Sequence, residues 1–437
     1  MKTSHQFIIS GLFLFAIGLF FGITGTFQYV VPGFLKSFLS FEKVRPMHVS
    51  AVVFWIIITA VGCVLHYLQE HLGRQLRFPI LAKIQFWLFV SVIPLIFISY
   101  LFGFFGGREY WEFHPILALP IIIGWILLLV NFIASLKSLK NQPVYIWMWL
   151  TGIVFFLFTF LESYLWLIPY FRSNIIADMT IQWKSYGSMV GSWNMLIYGS
   201  SIYLMDKISG DKKYSYSKIG YLIYSLGLFN LMFNWGHHIY SLPTHSYVKY
   251  ISYSVSMTEL LLLGRIIYLW KSSLDTAKKY LHKTSYCFLI AADFWVFVML
   301  FQAILMSIPA INLYTHGTHI TVAHTMGTTI GINSMLLFAF VYDILGKQQL
   351  QKTNAKLFNY GYFIANISLF VFCIALVIAG IIRSKWQMSE NQEAFGTMMQ
   401  EMLPFLVLFC IAGIVLALGF LMLLKHLLYD IKSKKNI

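Results

Sequence analysis

Charge is scarce in this chain, and acidic charge scarcer still. Only 11% of its 437 residues are Asp, Glu, Lys or Arg, and 16 are acidic. Soluble globular domains carry about a quarter charged residues, so that class is excluded. Cysteine is nearly missing as well. Cys63, Cys287, Cys373 and Cys410 all fall inside apolar runs, which excludes a disulfide framework. No Cys-x-x-Cys-His motif occurs, so no c-type haem is attached to the chain. Low-complexity tracts and internal repeats are absent too, which excludes a repeat array.

What is abundant is apolar sequence. Hydrophobic residues make up 59% of the chain, and runs long enough to cross a bilayer recur along its length. The pattern predicts an all-α integral membrane protein, a bundle of about twelve transmembrane helices. The spans lie near 6–30, 48–70, 81–105, 115–137, 144–170, 186–206, 217–241, 247–271, 283–308, 318–344, 358–383 and 403–428. Connections are too short for a soluble domain, so residues 1–437 read as one membrane domain. The first apolar stretch is too long for a signal peptide and reads as retained.

The net charge of +15 is a topology signal. The N-terminus, even-numbered loops and C-terminus hold about 21 of the Lys and Arg, the odd-numbered loops about 9. Both termini are therefore expected on the cytoplasmic side of a multi-pass membrane protein. Lys212-Lys213, Lys278-Lys279 and Lys432-Ser433-Lys434-Lys435 would lie against anionic lipid, and no nucleic acid is expected as a partner.

That topology gives each polar residue a depth. His48 opens span 2 on the outer side, His237 and His238 close span 7 on the same side, and His324 lies about two turns into span 10. Tyr186 opens span 6 at this level, and Glu259 is near mid-membrane. Histidine is costly in lipid, so several at one level point to bound metal or haem. A core imidazole bonded to a carbonyl is the alternative for each one alone. His5, His66 and His71 lie at inner-side ends, where solvation explains them.

The local motifs are Arg45-Pro46-Met47-His48, Gly107-Arg108-Glu109-Tyr110-Trp111-Glu112, Gly236-His237-His238, and Tyr314-Thr315-His316-Gly317-Thr318 leading into Ala323-His324. In this order and spacing they resemble the large subunit of cytochrome c-dependent nitric oxide reductase, in the haem–copper oxidase superfamily. The resemblance covers all twelve spans. The Thr-His-Gly-Thr run and Glu259 favour that branch over the related cbb3 oxygen reductases.

The resemblance implies the subunit I fold, two b-type haems and a membrane-anchored cytochrome c subunit on the outer face. His48 would be an axial ligand of the low-spin haem, with Arg45 near its propionates. His324 would hold the high-spin haem. His237 and His238 would bind a non-haem iron or copper facing it, with Glu259 beside that metal. Glu109 and Glu112 would lie where the family holds calcium; a solvated pairing with Arg108 is the other reading. Neutral imidazole suits both haem iron and a second metal.

Two departures stand out. The superfamily has His-x-His on span 10, where this chain reads His324-Thr325-Met326. Position 326 is rotated by about 200° from His324 and so faces the other haem. A thioether ligand there is chemically sound and raises the potential, although plain packing also accounts for a methionine. The family's third metal-binding histidine on span 6 is missing. Ungapped counting puts Tyr186 at its place, as a phenolate ligand or as a packed tyrosine beside a site that holds no metal. Val190 and Asn194 stand where nitric oxide reductases carry glutamates. A haem-bearing reductase of NO, or of O2, is thus the leading expectation. A non-catalytic paralogue keeping haem for electron transfer or gas sensing is the alternative. A secondary transporter fits the span number but leaves the histidine layer unexplained.

Overall fold

The computed structural model describes residues 2–257, 276–350 and 354–435. Glu259 lies outside them. The described residues are helical apart from turns and one isolated bridge between Arg108 and Trp111. In chain order the helices of ten residues or more are α1 (Thr3–Val30), α2 (Phe41–Leu72), α3 (Pro79–Leu101), α4 (Ala118–Ser135), α5 (Val144–Glu162), α6 (Ile175–Ser209) and α7 (Lys218–Phe233). Then come α8 (residues 246–257), α9 (Lys283–Ser307), α10 (His319–Ile344), α11 (Ala355–Met388) and α12 (Phe395–Lys435). Among the described residues nine helices, α1 to α5 and α9 to α12, are long and apolar enough to cross a membrane.

The expected spans at 186–206, 217–241 and 247–271 are drawn differently. Helix α6 begins at Ile175 because Asn174 caps it, its Oδ1 accepting from the Ile176 and Ala177 amides at 3.0 and 3.2 Å. Asp178 in the first turn suits the helix dipole, and Gly210, at φ 69°, closes the far end. Helix α7 stops at Phe233, and the chain tightens into a 3₁₀ turn over Asn234–Ile239. Asn234 is the reason: its side chain and its carbonyl both take partners from outside the helix. Of the 247–271 span, only the part up to residue 257 is described. Helix α2 also starts before residue 48, so His48 sits well inside it rather than at its start.

The chain divides into two compact units, Met1–Phe13 with Val53–Lys278, and Leu14–Val52 with Lys279–Ile437. In the first, aromatic contacts and polar clasps join the helices. Trp125 stacks on Phe156 at 4.0 Å, Tyr67 stacks on Tyr203 at 4.6 Å, and the Trp149 indole donates to Ser200 at 3.2 Å. In the second, Phe15, Phe338 and Phe420 pack mutually at 5.0–5.5 Å. The Ser285 hydroxyl ties α9 to the Ala339 carbonyl of α10, and the Tyr342 hydroxyl ties α10 to the Leu423 carbonyl of α12.

Burial separates the helices. The most apolar stretch of α2 is 83% buried and that of α10 72%, against 39% for α1, α3, α4 and α9. Among those nine helices, the ones carrying His48 and His324 thus have the most buried apolar stretches. Helix α10 is irregular: Gly327–Ser334 widens into a π turn directly after Met326. Such turns often accompany functional sites.

Candidate functional site

In the second unit His48 projects from α2 onto α1. Its Nδ1 lies 2.8 Å from the carbonyl oxygen of Gly18. A carbonyl only accepts, so Nδ1 carries the proton and Nε2 keeps its lone pair. That is the tautomer a metal-binding imidazole needs, held by the kind of outer bond such ligands use. Arg45, one turn earlier, is exposed. It and Arg383 of α11 both lie within electrostatic reach of the Tyr29 hydroxyl, and Arg383 also reaches His319. Two guanidinium groups therefore gather around Tyr29. Sequence reasoning missed Arg383, which lies with Lys385 near the end of an apolar helix.

His324 sits on α10 before the π turn. Its Nδ1 is buried and has no hydrogen-bond partner. An orphaned buried nitrogen costs about 1–3 kcal/mol, and the outer bond that steadies the His48 ring has no counterpart at His324 Nδ1. Thr325, Thr328 and Thr329 do not supply that partner, because each hydroxyl donates to a backbone carbonyl one turn back, at 2.7–3.0 Å. The Tyr314–Thr318 run positions the helix start. Gly317 takes φ 74°, and Thr318 caps α10 by accepting from the Ile320 amide at 3.2 Å. Burial pushes the His316 imidazole in this loop below its ordinary value, keeping it neutral at neutral pH. Met326 is half-buried, with its side chain two residues beyond His324.

In the first unit the paired histidines ride the 3₁₀ turn, their ring centroids 4.2 Å apart. The His237 Nδ1 donates to Asn234 Oδ1 at 3.0 Å, again leaving Nε2 with the lone pair. Ser256 donates to the same Oδ1, and Ser252 to the Asn234 carbonyl. His238 stacks flat on Trp183 of α6, centroids 4.6 Å apart and planes 7° from parallel. Two glycines set that register. A Cβ on Gly187 would fall 2.7 Å from Trp235 Cβ, and one on Gly191 would fall 3.0 Å from Leu231 Cα.

Trp183 is thus an α6 side chain that lies against the histidine pair. Tyr186 is buried and meets Tyr110 of the loop between α3 and α4 edge-on at 5.3 Å, with Glu112, Glu109 and Arg108 as its charged neighbours. Arg108 itself pairs with Asp178 at 2.7 Å, reaches Gln182 at 3.4 Å and lies over the Trp166 ring. Asp178 escaped the sequence reading, although an acid just inside an Asn-capped helix is a recognisable placement. Lys184 and Glu162 form a further ion pair at 2.6 Å.

Among the described residues no group of three His, Cys, Asp or Glu is placed to hold a metal ion. The donors at the pair are two imidazoles, and the indole beside them has no lone pair to offer. Protein sites for zinc, iron or copper ordinarily take three or more protein ligands. The described donor set does not fit a closed non-haem centre.

The family described as Cytochrome C and Quinol oxidase polypeptide I matches residues 2–415. A nitric oxide reductase subunit of Stutzerimonas stutzeri is 23% identical over 421 residues, covering 88% of this chain and 85% of that protein. The cbb3-type cytochrome c oxidase subunit CcoN1 of the same organism is 23% identical over 464 residues, covering 99% and 95%. Cytochrome c oxidase subunit 1 of Rhodobacter capsulatus is 23% identical over 447 residues, covering 96% and 83%. A solved heme-copper terminal oxidase dimer superposes with a TM-score of 0.75 at 16% identity, over 99% of this chain and 84% of that one.

Proposed function

Because this chain belongs to the cytochrome c and quinol oxidase polypeptide I family, we propose that it is the haem-carrying membrane subunit of a respiratory oxidoreductase. It takes electrons from a cytochrome c partner and reduces nitric oxide, with oxygen as the alternative substrate. The observation that carries this reading is the imidazole of His48, its Nδ1 proton committed to the Gly18 carbonyl and its Nε2 lone pair left for iron.

Haem supplies one-electron redox chemistry at iron. The residues of the chain bind and orient it. His48 and Met326 would hold one b haem, and His324 would hold a second. Arg45 and Arg383 offset propionate charge. Glu109 and Glu112 belong to the loop that packs on Tyr186; a calcium ion there needs oxygens beyond these two carboxylates. Glu259 is the proposed proton relay. No step is assigned to a non-haem metal at His237 and His238, because the described donors are too few.

The test is His324→Ala in purified protein. The high-spin haem signal disappears and the low-spin signal stays. Loss of both, or of neither, contradicts the assignment. A second reading, electron transfer or gas sensing without catalysis, is favoured by one observation: Trp183 occupies the α6 side of the histidine pair.

A further inference from the structure

On the reading that His48 ligates haem iron, we infer that α1 is a positioning element for this ligand, with the Gly18 carbonyl fixing its tautomer and the bare Cα of Gly22 fixing its ring plane.

Gly18 and Gly22 are one helical turn apart and so lie on one face of α1. The His48 ring rests on that face. Its Nδ1 reaches the Gly18 oxygen at 2.8 Å. A Cβ built on Gly22 would stand 2.9 Å from His48 Cε1 and 3.1 Å from Nδ1. Carbon–carbon contact is optimal near 3.5–4.0 Å, so alanine at 22 pushes the ring off α1. The ring cannot move away and keep a 2.8 Å hydrogen bond to the neighbouring turn. Tautomer and plane are therefore coupled through two residues that carry no side chain. The next glycine on the helix behaves differently. A Cβ at Gly25 would meet Val44 Cγ1 at 3.5 Å, an ordinary contact. At Gly18 it would meet Val52 Cγ2 at 3.2 Å, on the far side of His48 in sequence.

The spacing gives three tiers of space along one seam: tight at 18, tightest at 22, relaxed at 25. A seam built only for close packing would need no hydrogen bond to the imidazole. A histidine held only as a core donor would tolerate several ring planes. The combination orients Nε2. The imidazole N–H of an axial ligand, when it is hydrogen-bonded, also increases ligand basicity and tunes the iron.

The experiment compares Gly22→Ala with Gly25→Ala in the purified membrane protein. Both are read by the reduced-minus-oxidised spectrum and by electron paramagnetic resonance. Gly22→Ala shifts the low-spin band and its g values, or empties that site, while the high-spin haem signal is unchanged. Gly25→Ala matches the parent in both. A Gly22→Ala protein with parental low-spin spectra overturns the inference and leaves the haem reading standing. A parent protein with no haem overturns both. Pulsed resonance of the unaltered protein with ¹⁵N-labelled histidine needs no variant to fold. It detects a protonated, slowly exchanging remote nitrogen on the low-spin ligand. A remote nitrogen whose proton exchanges at the rate of free imidazole contradicts the role of Gly18.

Discussion

At the scale of residues, histidines identify themselves and their partners do not. His48, His237, His238 and His324 stand out because imidazole is costly in apolar helices. Gly18 and Gly22 are invisible in the same reading, since the contact that matters lies between residues 30 and 26 positions apart in the chain. Trp183 is likewise lost among 13 tryptophans until its ring is seen flat against His238. Counting register along α6 selects Tyr186 for that place. Trp183 stacks on His238 and Tyr186 meets Tyr110; the two stand three positions apart and so are neighbours on one face of α6.

Met326 is where packing and ligation give opposite outcomes. Met326→Ala converts the low-spin haem to a high-spin, carbon monoxide-binding form if the thioether is a ligand. If the side chain only packs, the low-spin spectrum is unchanged and the loss is one of stability, about 2–5 kcal/mol. The account predicts the spectral conversion, read by absorption of the reduced protein with and without carbon monoxide.

At the scale of elements, apolar periodicity located most helices but could not see where one changes character. The run from 217 to 241 is continuous in hydropathy. Its break after Phe233 comes from Asn234, whose amide and carbonyl engage His237 and two serines from α8. The π turn in α10 is equally hidden, because Gly327–Ser334 reads as ordinary small and polar helix sequence. The early start of α6 was legible in principle, through the cap at Asn174 and Asp178 inside it.

The histidine-bearing turn depends on how closely α6 lets it approach. Gly187→Val places atoms where the Trp235 Cβ already is. Overpacking of this kind costs about 1–3 kcal/mol. The thermal midpoint in detergent falls accordingly, and the Trp183–His238 stack loosens. Gly396→Ala, at a position with open space around its Cα, leaves the midpoint unchanged. Equal midpoints for both variants would show that α6 tolerates the larger residue and that the register is set elsewhere.

For the molecule as a whole, composition decided the class before any motif was read. Few charges and long apolar runs leave little besides a helical membrane protein. Nine membrane-crossing helices among the described residues and the family match over residues 2–415 agree with that class. The two most shielded of those helices, α2 and α10, are the ones that carry His48 and His324. A protein built only to move solutes has no need to bury imidazoles there with one nitrogen orphaned and another steered by a carbonyl.

The central claim is that those imidazoles hold iron porphyrin. Pyridine haemochrome analysis of the purified chain, set against its protein content, tests it most directly. The account predicts two b-type haems for each polypeptide. Intact, folded protein with no haem would contradict it.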